Sequence, residues 1–358
     1  MGGKGLFDEL HIGGLAARNR LVRAATYERA SDAHGMVTPE IMRIYRELAS
    51  GGVGTIISSF AYVREDEYRR DRMLGLDRDE VLPGYRELAE AVHATGTRFV
   101  AQIVHCGATA GKPPFTGPAW APSDGVSPVD ETRSVRAMTR ADMDALAADF
   151  AAAARRAQQA GFDGVEVHAA HGYLLSQFLN PLWNHREDEY GGSIEGRMRF
   201  PVQVLRAVRD AVGPDFPILV KINSSDGVPG GMTEDESLVV SQAFAKVVDA
   251  IEVSGTTYGK VRIAGPDGQH CLYAPYAARL AELVDIPVIL TGGNRLAPEL
   301  QELLDTTGIS GFGLARPLVC EPDLPARWQR DVAYVPRCVS CSRCFPEAGR
   351  NCVLHSAR

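Results

Sequence analysis

Short apolar runs rich in β-branched residues recur along the chain at 20–24, 55–59, 98–103, 164–168, 218–222, 250–253, 288–290 and 311–314. Between them lie stretches whose apolar positions repeat at helical spacing: 39–50, 82–95, 140–160, 194–212, 233–248, 276–284, 298–305 and 323–331. Runs of three to six residues fit strands buried on both faces, and the longer stretches fit amphipathic helices. Eight strand–helix units in strict alternation predict an α/β fold, a (β/α)8 TIM barrel, with an open doubly wound sheet as the second choice. Helix starts support this register. Thr38 precedes Pro39, Thr139 precedes an alanine-rich run, and Thr233 opens Thr-Glu-Asp-Glu, which are capping residues followed by proline or acid in the first turn.

The alternation also locates a site. Gly161-Phe-Asp-Gly-Val-Glu-Val-His168 reads as a strand ending at His168, so His168, His171 and Tyr173 fall within six positions at its C-terminal mouth. Parallel α/β barrels and sheets bind ligands at that end. Two long polar segments, 112–138 and 256–275, follow strands on the same side. They are expected to form lids and pocket walls.

Composition narrows the classes. The chain has 358 residues, 45% hydrophobic and 23% charged, ordinary values for a folded globular protein. No apolar run approaches the roughly 18 residues of a membrane helix, and the start Met-Gly-Gly-Lys-Gly-Leu-Phe-Asp lacks a signal-like apolar stretch. The expectation is a cytoplasmic protein with no membrane partner. A net charge of −7 and a pI near 5.8 argue against nucleic acid; Arg69-Arg70-Asp71-Arg72 reads as a solvated loop. A small-molecule substrate is the expected partner, and a homo-oligomer is left open. Four of the seven cysteines, Cys338, Cys341, Cys344 and Cys352, crowd the C-terminal segment. In a reducing compartment such a cluster reads as metal binding before disulfides. The chain therefore divides into a barrel, 1–335, and a cysteine-rich tail, 336–358.

From His168 onward the motifs Asn180-Pro181, Asn184-His-Arg186, Asp188-Glu-Tyr-Gly-Gly-Ser193 and Arg197-Met-Arg-Phe200 follow in order. This stretch resembles the Old Yellow Enzyme family of FMN-dependent oxidoreductases, and the resemblance runs over about residues 5–335. Gly196 departs from it, standing where the family usually carries Asn, which implies a loosened structural hydrogen bond. The resemblance implies bound FMN with NADH or NADPH as reductant. It assigns His168 and His171 to the substrate's carbonyl or nitro oxygen, where two donors would stabilise the charge that grows during hydride transfer. Either histidine alone could equally be a satisfied core imidazole. Tyr173 corresponds to the proton donor, or to a pocket wall without an acid role.

Flavin contacts are implied for Thr26, with Ala24 and Ala25 before it, and for Gln102, whose alternative is an inward-facing barrel polar. Lys221 is implied beside flavin N1 and O2, since a buried lysine needs an anion and reduced flavin carries one. Gly292, Gly293 and Asn294 after the seventh strand, and Gly313, Ala315 and Arg316 after the eighth, fit the phosphate site of such barrels.

The tail, Cys338-x2-Cys341-x2-Cys344-x7-Cys352, resembles the segment that binds a [4Fe-4S] cluster in the 2,4-dienoyl-CoA reductase and trimethylamine dehydrogenase branch. Its spacing is tighter, and the branch's second, dinucleotide-binding domain is not in this sequence. Zinc or no metal are the alternatives, and Cys106, Cys271 and Cys320 read as ordinary thiols. The function implied is an ene-reductase: NAD(P)H reduces FMN, and an electron-poor, carbonyl-activated alkene takes hydride from N5 and a proton from Tyr173. The alternatives are an FMN-dependent dehydrogenase, desaturase or demethylase on the same fold, or a flavin or iron–sulfur redox protein that turns over nothing.

Overall fold

A computed structural model describes residues 4–64, 71–109, 118–127, 130–255, 269–344 and 352–354. Its centre is a closed barrel of eight parallel strands: β1 (Leu21–Arg23), β2 (Thr55–Ile57), β3 (Arg98–Val104), β4 (Gly164–Ala169), β5 (Ile218–Asn223), β6 (Ala250–Ser254), β7 (Val288–Thr291) and β8 (Gly311–Leu314). Each pairs with the next, and Phe312 of β8 returns to Leu21 of β1, closing the ring. The (β/α)8 expectation holds, and the strand positions agree to within two residues. Closure removes both sheet edges, so each strand is buried on two faces and reads as a continuous apolar run.

Helix boundaries follow local chemistry. Thr139 and Thr233 each accept a hydrogen bond from the backbone N–H three residues on, and Asp142 and Glu236 reach back to the cap, completing two capping boxes. The stretch expected as one helix at 194–212 is two, Ile194–Arg197 and Arg199–Val212. A Cβ at Gly196 would overlap the Gly191 carbonyl, so the glycine permits a close backbone approach.

Three features lie outside the periodic reading. An N-terminal hairpin, Leu10–Ile12 with Leu15–Ala17, packs Leu10, Ile12 and Leu15 against Val22, Val100, Leu219 and Ile289. These come from four strands of the ring, so the hairpin plugs the N-terminal end of the lumen. The polar segment after β3 folds into a three-stranded sheet of Ala119–Ala121, Gly125–Ser127 and Asp130–Ala137. A short helix, Leu174–Leu179, follows β4. The segment after β6 lies mainly outside the described residues, at 256–268. Among those described, no helix is long and apolar enough to cross a membrane.

Candidate active site

β4 delivers the site by a sharp reversal. His171 (φ 57°) and Gly172 (φ 72°) both adopt left-handed backbone, uncommon for a non-glycine residue. The His171 N–H donates to Asn223 Oδ1 at 3.0 Å, and Tyr173 then starts the helix Leu174–Leu179. The turn gathers the three side chains: ring centroids of His168 and His171 lie 5.1 Å apart, and those of His168 and Tyr173 4.8 Å apart.

The Ala170 N–H donates to His168 Nδ1 at 3.2 Å. Nδ1 is therefore unprotonated, and the imidazole proton sits on Nε2 as a donor. Burial, reinforced by His171 and Lys221, holds the His168 pKa well below its ordinary value, and burial with Lys221 lowers that of His171 to about 4. Both rings are therefore neutral at neutral pH, with His168 donating from Nε2. His171 Nε2 lies 2.8 Å from Ser254 Oγ, a partner the sequence reading missed. Phe60 sits 5.6 Å from Tyr173 and stacks on Tyr27 at 5.0 Å, giving the mouth an aromatic wall, also unforeseen.

Beneath this mouth lies a layer of charge. Lys221 Nζ stands 3.1 Å from Glu252 Oε1 and 3.5 Å from Glu166 Oε2, all three side chains being fully buried. Gln102 donates its amide to Glu166. Carboxyl groups of the protein itself thus offer Lys221 an anion, besides the flavin charge expected there. Thr26 is buried, with its hydroxyl donating to the Ala24 carbonyl at 3.0 Å.

The loops after β7 and β8 meet in one cleft with the barrel mouth, bringing Ala24, Ala25, His171 and Lys221 together with Gly292, Gly293, Asn294, Gly313, Ala315 and Arg316. Thr26, Gln102, His168 and Tyr173 are buried but do not line it. The residues fit an FMN. Gly292 and Gly293 hold φ 138° and 77°, and a Cβ at Gly313 would collide with Thr291 Oγ1. Asn294 Oδ1 and Arg295 Nε are buried polar atoms without a hydrogen-bond partner among the described residues, as expected where a polar group is to be received. Asn294 also has a structural role, its amide donating to the Leu290 and Gly313 carbonyls and tying the two loops together. Arg295, next to the Gly-Gly-Asn run, was missed.

The family motifs downstream of Tyr173 act as braces. Asn184 donates to the Phe178 and Tyr190 carbonyls at 2.8 Å, and Arg197 to the Leu179 carbonyl at 2.7 Å.

The tail reaches back to the cleft: Arg316 donates to the Ser340 carbonyl at 3.2 Å and Arg295 to that of Cys338. Cys338 and Cys352 pack against Cys320, so a thiol expected to be ordinary joins the tail's cluster. Cys344 is buried and Cys341 exposed; burial pushes the Cys344 thiol up to about 11. Among the described residues, no group of three or more His, Cys, Asp or Glu is placed to hold a metal ion. The thiols are gathered but not set as ligands.

Comparisons place this architecture. Residues 5–334 match the model of the NADH:flavin oxidoreductase / NADH oxidase family. A metal reductase of Desulforamulus reducens is 37% identical over 94% of this chain, which covers 51% of that protein. A 4,4'-dithiodibutanoate disulfide reductase of Rhodococcus erythropolis is 32% identical, the match covering 98% of this chain and 95% of the relative. The solved structure of morphinone reductase superposes with a TM-score of 0.81 at 26% identity, over 94% and 92% of the two chains. The chain thus spans about half the length of the first of these relatives and nearly all of the others.

Proposed function

The chain belongs to the NADH:flavin oxidoreductase / NADH oxidase family, and from that premise we propose that it is an FMN-dependent NAD(P)H oxidoreductase that reduces carbonyl-activated alkenes. Bound FMN supplies a hydride carrier that NAD(P)H charges and the alkene discharges. The glycine loops at Gly292 and Gly293, with Arg316, would hold its phosphate, and Lys221 with Ala24 and Ala25 would line its ring edge.

The observation that carries the reading is the protonation of His168. With Nδ1 occupied as an acceptor, Nε2–H is the donor left for a substrate oxygen, and neutral His171 stands beside it. Two donors stabilise the enolate-like charge that develops as hydride reaches the β-carbon, and this is differential stabilisation of the transition state. Tyr173, packed against His168 and Phe60, supplies the α-carbon proton, and the aromatic wall excludes water from a planar acceptor.

A second reading, reductive cleavage of a disulfide, is favoured by the near full-length match to the dithiodibutanoate disulfide reductase. It would use the same reduced cofactor. The cysteine tail, by its four thiols and Cys-x2-Cys-x2-Cys rhythm, is proposed to take an iron–sulfur cluster, with zinc as the alternative; no step above passes through it. The test is anaerobic: purified protein showing a flavin spectrum is reduced with NADH or NADPH, then mixed with 2-cyclohexenone or a dialkyl disulfide. Reoxidation by the enone supports the first reading, reoxidation by the disulfide alone the second. Reoxidation by neither leaves an electron carrier and overturns both.

A further inference from the structure

Glu166, Lys221 and Glu252 stand on three consecutive strands, β4, β5 and β6, and none reaches solvent. Two carboxylates and one ammonium would leave a net negative charge in a medium that penalises it heavily. Glu166 Oε1 has no hydrogen-bond partner among the described residues, and Glu252 has the Lys221 ammonium at 3.1 Å and the Thr291 hydroxyl beside it. Both carboxyl groups flank the same ammonium, at 3.1 and 3.5 Å. Two buried carboxylates facing one cation repel each other unless one of them is protonated.

We propose that Glu166 and Glu252 share one proton when the flavin is oxidised and take up a second when it is reduced, so that this pair is a redox-linked proton acceptor beneath the cofactor. The proposal rests on the FMN reading of the cleft above it. The charges balance. In the resting layer one carboxylic acid, one carboxylate and the Lys221 ammonium sum to zero. Reduction by NAD(P)H delivers two electrons and one proton as hydride, which leaves one negative charge on the flavin beside Lys221. A second proton, drawn from solvent onto the remaining carboxylate, frees the ammonium to pair with that charge.

Burial, and then Glu252, raise the pKa of Glu166 well above the carboxylate range. Burial works against charge at Glu252 too, but Lys221 overrides it and holds that group low. This is the split expected of a pair sharing one proton. The other titratable groups facing the layer are His168 and His171, both neutral. Gln102 and Thr291, the polar neighbours from β3 and β7, do not titrate in this range.

The experiment is the flavin midpoint potential of the holoenzyme as a function of pH, poised with dithionite and mediators in the absence of substrate. Each proton taken up with two electrons contributes about 30 mV per pH unit, the equivalent of a tenfold change for a two-electron couple. Wild type is expected to follow the two-proton slope across neutral pH, and the E166Q/E252Q double variant the one-proton slope. The redox-difference infrared spectrum of wild type should gain a carboxylic-acid carbonyl band on reduction, a readout that needs no variant. A one-proton slope in flavin-loaded wild type would overturn the proposal, as would a two-proton slope without a new carboxylic-acid band. Protein that binds no flavin would instead fail the functional reading beneath it.

Discussion

The barrel lumen has two tiers built from the same strands, two residues apart. In the lower tier Val22, Val100, Leu219, Ala250 and Ile289 meet Leu10, Ile12 and Leu15 of the hairpin in an apolar plug. In the upper tier the corresponding positions are Ala24, Gln102, Lys221, Glu252 and Thr291. The inward parity is unchanged, but the chemistry inverts. The lower tier stabilises the fold by burying carbon, at roughly 1.5–3 kcal/mol for each fully buried large side chain. The upper tier buries charge, which costs stability unless paired, so its residues are better explained by what is bound above them than by the fold.

Breaking the upper tier should therefore cost more than trimming the lower. Lys221→Met strands two carboxyl groups, and chemical denaturation at neutral pH should show a loss of about 3–5 kcal/mol, partly recovered by adding Glu252→Gln. Acid should act in the same sense. The pKa of buried His105 is lowered to about 3 and that of His171 to about 4, burial being the first cause in each. Between those values and the unfolded pKa near 6.5 the unfolded chain binds more protons, so the contribution of these two histidines falls as pH drops below about 6.5 and levels off below about 3, while carboxylates held low, such as Asp142 at about 2, continue the loss at lower pH. Denaturant midpoints measured against pH check this; unchanged midpoints from neutral to mildly acid pH would contradict it.

Replacing His168 and His171 together by alanine should leave FMN bound and cut enone reduction by about two to three orders of magnitude, comparable to removing an oxyanion donor. Turnover at the wild-type rate would remove both residues from the chemistry. Tyr173→Phe should slow reoxidation by enone, by about a hundredfold for a lost general acid, while reduction by nicotinamide stays near wild type; equal slowing of both would mark a packing role. The smallest effect belongs to the lower tier. Ile289→Val should cost only about 0.5–1.5 kcal/mol and leave the flavin spectrum and turnover unchanged.

The ring of strands was legible because closure buries both faces of each strand, writing β-branched runs such as Ile218-Leu-Val-Lys-Ile-Asn223. The hairpin plug was not, since Leu10-His-Ile and Leu15-Ala-Ala are only three residues each and gain their order from the lumen they fill. The three-stranded sheet after β3 hid in a proline-rich polar stretch, because half-exposed strands carry little apolar signal. Glu166 and Glu252 offered a usable sign: a lone carboxylate at an inward position, in Val-Glu-Val-His and Ile-Glu-Val-Ser. Their pairing with Lys221 depends on the stagger between strands, which one sequence does not display. The His168, His171 and Tyr173 group was legible because its members are adjacent in the chain. Ser254, Arg295, Tyr27 and Phe60 were not, since only the closed barrel brings their loops together.

The central claim is that this mouth passes hydride from reduced cofactor to the β-carbon of an alkene whose carbonyl is held by two neutral imidazoles. The most direct measurement is product analysis after anaerobic turnover of 2-cyclohexenone with nicotinamide carrying deuterium at the transferred position. The account predicts cyclohexanone with deuterium at the β-carbon and solvent hydrogen at the α-carbon. Unreduced enone recovered in full, or label at the α-carbon instead, would contradict it.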